Sequence, residues 1–447
     1  MEVETAEENT VLSGSFARSA AVSAALVLFM LAPQVLLDDY VRGVNTVLLL
    51  FLLLLVGREY LSTLFSLGTA EPPEDMPEEK PEVSILIPAY NEEKVLRGTI
   101  EACADLDYPR TRMEAIVCYE ADSTDDTAKI AEEAADEFDF VKAVERDEPG
   151  GGKAKATNYA LQYAEGDIIA SIDADHRFKE DALDRAVRWF HSDDEIWCVK
   201  GRCYGENAHD SLLALHATVE RHIAERIDIF ARHVFNGFTF FGGGQAFFRS
   251  EVFDELGEFD EEILVEDIDM SMKIHEHGKE IAVDHEIITY EENPAALDAW
   301  WSQRKRWSRG WMQVADRYLP ALVKGDTSMD TGQRLDAIYT FGYAVIPAFM
   351  VLLLPIFLIQ QFGVNTGVFL PYGSYLWTLM GLTPAVLSYT IFGLDHRQGE
   401  SHQFLEYFAA FSLWIYFFLQ GVVHIISFVE EFLLDRPSVY VTTSRAE

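Results

Sequence analysis

Positive charge is scarce in this chain. Its 447 residues hold 35 lysines and arginines against 74 aspartates and glutamates, a formal net charge of −39. The acids run through the whole polar part instead of gathering in a tail, so no basic face is available to neutralise a phosphate backbone, and nucleic acid is excluded as a partner. Cysteine is scarce too. Cys103, Cys118, Cys198 and Cys203 lack metal-ligand spacing and are too few to staple a large domain; they read as small buried residues in a reducing compartment. A nucleotide-hydrolysing phosphate loop is absent: Pro149-Gly150-Gly151-Gly152-Lys153 does not carry the Gly-x4-Gly-Lys-Ser/Thr pattern and does not directly follow a buried strand. A cleavable leader is not expected either, because the first apolar block exceeds a signal-peptide core of about 7–15 residues and no small-residue cleavage pattern follows it.

What the chain does have is long apolar runs separated by an acidic, polar middle. A mean hydropathy of +0.02 is therefore a mixture of two kinds of sequence. Residues Ala17 to Leu37, Val44 to Leu67, Ala337 to Phe362, Tyr372 to Phe392 and Phe404 to Leu434 each supply the roughly 20 apolar residues that a bilayer core requires. The expected organisation is an acidic tail (1–15), two transmembrane helices (16–67), a Pro/Glu linker (68–82), a soluble domain (83–293), an interfacial helical stretch (294–333), about three transmembrane helices (334–434) and a tail (435–447). A hydrated acidic surface suits high salt, so a halophilic source is expected.

Within the soluble part, Val83 to Pro88 is a short β-branched run stopped by proline, as a buried parallel strand would be. A helix from about Lys94 to Ala104, a strand Met113 to Tyr119, a helix Ala128 to Phe138 and strands Phe140 to Val144 and Ile168 to Ile172 continue the alternation. This predicts a doubly wound α/β domain with ligands at the carboxyl ends of its strands.

Chemistry-bearing residues fall at those ends. Asp173-Ala174-Asp175 ends an apolar strand and offers two carboxylates to a hard divalent cation; alone, such a pair is more often a solvated turn. Asp122 follows the second strand, with Ser123, Thr124 or Asp125 as the expected helix cap. Pro88-Ala89-Tyr90-Asn91-Glu92 makes a third wall, and Lys153 is the better placed of two lysines for a phosphate. Glu266-Asp267 precedes an amphipathic helix behind the loop Phe241-Gly242-Gly243-Gly244. Asp267 can be read as a general base or as an acid favoured by the helix dipole.

The stretch Trp300 to Trp311 sets Arg304, Lys305, Arg306 and Arg309 among four tryptophans. Asn293 as cap and Pro294 at the first position predict a helix from Ala295 to about Tyr318, with Gln303, Arg306, Trp307 and Gly310 on one face. On this reading Gly310 leaves that face open, while Arg304, Lys305 and Arg309 form a positive-inside membrane flank.

In this order, Pro88-Ala89-Tyr90-Asn91-Glu92, Asp122, Lys153, Asp173 and Asp175, the Phe241 glycine loop, Glu266-Asp267 and Gln303-x-x-Arg306-Trp307 resemble the inverting family-2 glycosyltransferases. The chain is most similar to the membrane-embedded synthases typified by cellulose, hyaluronan and poly-N-acetylglucosamine synthases. The resemblance implies a GT-A catalytic domain, α/β and nucleotide-sugar-binding, inserted between N-terminal and C-terminal transmembrane helices. It also implies a nucleotide-diphosphate sugar donor, a UDP-sugar first of all, and Mg²⁺ or Mn²⁺. Tyr90, Glu92 and Asp122 would then hold the nucleoside; Lys153, Asp173, Gln303 and Arg306 the diphosphate region; Asp175 the metal. Asp267 would take the acceptor's proton, and Glu266 and Trp307 would contact the acceptor.

The expected activity is inverting transfer to a growing polysaccharide or oligosaccharide, coupled to export. The alternatives are a single transfer to a polyprenyl or other lipid-linked acceptor, and an inactive membrane scaffold. The implied setting is the plasma membrane, with the chain crossing the lipid bilayer several times and its catalytic domain in the cytoplasm. Arg397 puts the Gly393 to His402 loop inside. Five spans are expected, or six if the long last block breaks near Gly421.

Overall fold

The computed structural model describes residues 14–36, 38–68, 70–148, 150–344 and 373–437. Its centre is an eight-stranded sheet of β1 (Val83–Ala89), β2 (Met113–Glu120), β3 (Val141–Arg146), β4 (Ile168–Ile172), β5 (Arg177–Phe178), β6 (Ile196–Gly205), β7 (Gln245–Arg249) and β8 (Glu280–Glu291), in the order β3-β2-β1-β4-β7-β6-β8-β5. The first four strands pair in parallel. The sheet as a whole is mixed, because β7 runs antiparallel between β4 and β6.

Both faces of the sheet are covered, which is why the strands read as nearly continuous apolar runs. Along β1 and β2, Ile85, Ile87, Ala115 and Val117 point to one core. Their neighbours Leu86, Ile116 and Cys118 point to the other. The first core is closed by helices Leu96–Ala104, Thr127–Glu137 and Ala182–Ser192, the second by Gly152–Leu161 and Glu266–Glu276. All four cysteines are buried and unbridged.

Beyond the sheet, the tryptophan-rich helix is Leu297–Lys324. Its N-cap is Ala296, not Asn293. The Asn293 amide is used elsewhere, donating to Thr218 Oγ1 at 3.1 Å, while its N–H donates to Asn207. Thr127–Glu137 is likewise capped at Asp126 without a side-chain bond, and Asp125 accepts from the Thr127 N–H two residues on.

Trp300 and Trp301 pack with Leu215 and Val219 of the Leu212–Ile223 helix and with Ile391, Leu413 and Tyr416 of the C-terminal helices Gly373–Arg397 and Phe404–Phe428. A buried ion pair adds to this junction: Arg202 of β6 grips both Asp395 oxygens at 2.7 and 2.8 Å. The Leu212–Ile223 and tryptophan-rich helices therefore share a core with the apolar helices, and the ion pair ties the sheet to it.

Two of the described helical stretches, Asn45–Ser66 and Phe404–Leu433, are long and apolar enough to cross a membrane, and Phe16–Phe29 is apolar but shorter. The last stretch continues past Gly421 without a break and ends in a π turn at Val429–Leu433. The expected third span, Ala337 to Phe362, lies mostly outside the described residues.

Candidate active site

A cleft of about 1440 Å³ opens along the carboxyl ends of β1, β2 and β4. All eleven residues singled out from sequence line it: Tyr90, Glu92, Asp122, Lys153, Asp173, Asp175, Glu266, Asp267, Gln303, Arg306 and Trp307.

At one end, the loops after β1 and β2 are stitched together. Asn91, held at φ 56°, accepts from the Thr124 N–H at 2.8 Å, and the Glu92 N–H donates to Thr127 Oγ1 at 2.7 Å. This fixes Tyr90 beside Asp122; partial burial, then the Asp122 charge, push the Tyr90 phenol up from its ordinary value.

In the middle, Lys153 contacts Asp173. Gly150, Gly151 and Gly152 all take left-handed φ values of 74°, 109° and 74°, which brings the start of the Gly152–Leu161 helix and Lys153 into the cleft. Burial alone would raise the Asp173 carboxyl, but the Lys153 and His176 charges outweigh it and hold it below the usual range. The Asp173 N–H donates to the Gly244 carbonyl at 3.0 Å, tying the strand end to the glycine loop.

Oxygen and nitrogen atoms of Asp173, Asp175 and His176 lie within 4.8 Å of one another. The two carboxylates offer oxygen ligands that fit a hard divalent cation, while His176, charged beside Glu291, adds a positive charge next to them and not a ligand. His176 was not anticipated from sequence, although it directly follows the acidic pair. It is buried, 3.1 Å from Glu291, whose carboxylate takes both arms of Arg221 at 2.9 and 2.8 Å. A Cβ on Gly244 would sit 2.3 Å from the His176 ring, so this position requires glycine for space as well as for its φ of 75°.

Opposite stands Asp267, the second residue of Glu266–Glu276. Burial, then the neighbouring Glu266 charge, push its carboxyl up to about 7; Lys153 and Arg306 only partly offset them. A carboxylate poised there is suited to taking a proton near neutrality. Gly243, at φ 53°, runs beside it: an added Cβ would lie in ordinary contact, 3.5 Å from Asp267 Oδ2.

The tryptophan-rich helix supplies the remaining wall. Gly310 does not leave its face open: an added Cβ would lie 2.6 Å from Val265 Cγ1, so glycine lets this helix press against the residue before Glu266-Asp267. The cations read from sequence as a membrane flank are turned inward. Arg304 pairs with Glu220 at 2.7 Å and stacks 4.8 Å over Trp307. Lys305 meets Glu430 at 3.2 Å, and Arg309 meets Glu431 at 2.7 Å.

Past Trp307 the cleft continues between the Leu212–Ile223 helix, the π turn Ala224–Ile229 and the apolar helices, reaching Glu220, Asp228, Gln420 and His424. None of this arm was read from sequence. Its signal was the run of acids and arginines at helical spacing, Glu220, Arg221, Glu225, Asp228 and Arg232.

Residues 81–310 match the family described as Glycosyltransferase like family 2. The chain is 32% identical over 248 residues to the probable glycosyltransferase YdaM of Bacillus subtilis, covering 55% of this chain and 59% of that protein. It is 31% identical over 243 residues to a beta-monoglucosyldiacylglycerol synthase of Nostoc, covering 54% and 50%. The matched region thus spans between half and three-fifths of the length of these relatives. In fold the chain resembles the mannosyltransferase PcManGT of Pyrobaculum calidifontis, solved with GDP-Man and Mn²⁺, with a TM-score of 0.55 at 18% identity over 93% of this chain and 99% of that one.

Proposed function

The chain belongs to glycosyltransferase like family 2, and from that premise we propose that it transfers a sugar, with inversion, from a nucleotide-diphosphate sugar to a hydroxyl acceptor at a membrane. The observation that carries this reading is one cleft that gathers Asp267, a carboxyl raised to about 7 despite the Lys153 and Arg306 charges, with the acidic pair Asp173 and Asp175.

In this reading Tyr90, Glu92 and Asp122 hold the nucleoside. Asp175, with Asp173 beside it, would hold Mg²⁺ or Mn²⁺, which when bound offsets charge on the diphosphate. Lys153, Gln303 and Arg306 bind the leaving diphosphate, where negative charge grows as the glycosidic bond breaks, and fixed cations in a buried cleft are most effective there. Asp267 accepts the proton of the attacking hydroxyl, and Glu266 and Trp307 position its carrier.

A growing glycan is the first reading for the acceptor, because Gln303-x-x-Arg306-Trp307 is the motif that the polysaccharide synthases share. A single transfer to a lipid is the second; it is favoured by the similarity to a glycolipid synthase and by the arm of the cleft that reaches the apolar helices. Several membrane crossings and a cytoplasmic catalytic domain accompany both readings. The test is purified protein in detergent with a panel of sugar nucleotides and Mn²⁺ or Mg²⁺, reading nucleotide release and product mass. Metal-dependent release with one donor supports the reading; no release with any donor contradicts it.

A further inference from the structure

The arm beyond Trp307 carries charge of both signs. Three arginines line it, Arg221, Arg232 and Arg304, and each is already matched to carboxylates of this chain. Arg221 binds Glu291 through two nitrogens at 2.9 and 2.8 Å. Arg232, 1% exposed, holds Asp336 at 2.7 Å and Asp228 at 3.0 Å. Arg304 holds Glu220 at 2.7 Å, and the same Glu220 also accepts from Tyr416 and Gln420.

The two-nitrogen Arg221 pair uses the fork geometry with which a guanidinium would otherwise bind phosphate. An anion entering the arm would have to break such buried pairs, each of which leaves an uncompensated buried charge behind. Two further acids on the same walls, Glu59 and Glu225, are likewise paired, with Arg58 and Lys200, so these walls offer an anion no unmatched cation among those named. A neutral polyol faces no such barrier, since carboxylate oxygens, Gln420 and His424 can accept from or donate to its hydroxyls.

We propose that this arm is the acceptor subsite, and that it takes a neutral, hydroxyl-bearing headgroup, a sugar or a glycerol, while rejecting a phosphate-bearing carrier. The proposal rests on the glycosyl-transfer reading above. The shared chemistry has two sources, a neutral glycolipid or diacylglycerol embedded in the membrane and a free oligosaccharide, and the test separates them.

The purified full chain, in detergent with its releasing donor and Mn²⁺, is given diacylglycerol, a monoglycosyl diacylglycerol, a neutral oligosaccharide or a polyprenyl phosphate. Transfer to at least one neutral acceptor is expected to exceed transfer to polyprenyl phosphate by at least about tenfold, and which neutral acceptor works identifies the source. Equal or greater transfer to polyprenyl phosphate overturns the proposal while leaving the enzyme reading intact. Binding is read independently of turnover by tryptophan fluorescence, titrating a short-chain neutral glycoside against farnesyl phosphate. Tighter binding of the glycoside supports the proposal, and tighter binding of farnesyl phosphate overturns it. Absence of nucleotide release from every donor strikes the catalytic reading alone, because the binding comparison still decides the subsite. A Glu220→Gln variant, which unpairs Arg304, is expected to narrow the preference; an unchanged preference overturns the role given to these ion pairs.

Discussion

Arg309 donates from Nε to Glu431 at 2.7 Å, and its two Nη atoms donate to the main-chain carbonyls of Pro437 and Arg436 at 3.1 and 2.7 Å. A residue in the middle of the tryptophan-rich helix therefore anchors the end of the last apolar helix. Removing this guanidinium strands a carboxylate and two carbonyls. Arg309→Ala is expected to lower stability by about 3–5 kcal/mol, read as a lower unfolding midpoint in detergent. Arg309→Lys should recover only part of it, because an ammonium cannot span three acceptors in a fixed fork.

Gly310, the next residue, sets the distance between this helix and the Asp267 segment. With Val265 Cγ1 2.6 Å from an added Cβ, and a β-branched side chain stiff at χ1, Gly310→Ala must push Arg306 and Trp307 away from Asp267. The expected result is a kcat reduced by on the order of tenfold to a hundredfold, with nucleotide affinity less affected. Wild-type kcat in a folded Gly310→Ala variant would contradict it.

These two residues also show what was legible in the sequence. The strands were, because β-branched runs buried on both faces have few other uses, and the acids at their ends follow from the fold. The inward turn of Lys305 and Arg309 was not, because their partners Glu430 and Glu431 lie more than a hundred positions away. The Asn293 cap failed for the same reason: Thr218 and Asn207 compete for its groups. The acceptor arm was invisible because it forms only when the Leu212–Ile223 helix meets the C-terminal helices. His176 had a local signal, its place directly after Asp175, but its connection to Glu291 is set by sheet pairing.

Asp267 carries a pH dependence. A base must be deprotonated to act, and this carboxyl is pushed up to about 7. The rate of transfer is expected to rise with pH up to about 7, falling roughly tenfold per unit below it, and to level off above. A rate that stays flat down to pH 5 would remove Asp267 from the proton transfer.

The net charge of −39 carries a salt dependence. Repulsion among exposed carboxylates weakens as counterions screen it. The unfolding temperature in detergent is expected to climb as KCl is raised into the molar range. Unfolding at higher rather than lower KCl would contradict the halophilic reading of the composition.

The central claim is that Asp267 performs chemistry that the rest of the cleft only prepares, and Asp267→Asn tests it most directly, since it keeps the shape and removes the base. The measurement pairs nucleotide diphosphate binding by calorimetry with product formation under saturating donor. The account predicts binding within about threefold of wild type and transfer reduced by at least about a hundredfold. Lost nucleotide binding with residual transfer would contradict it.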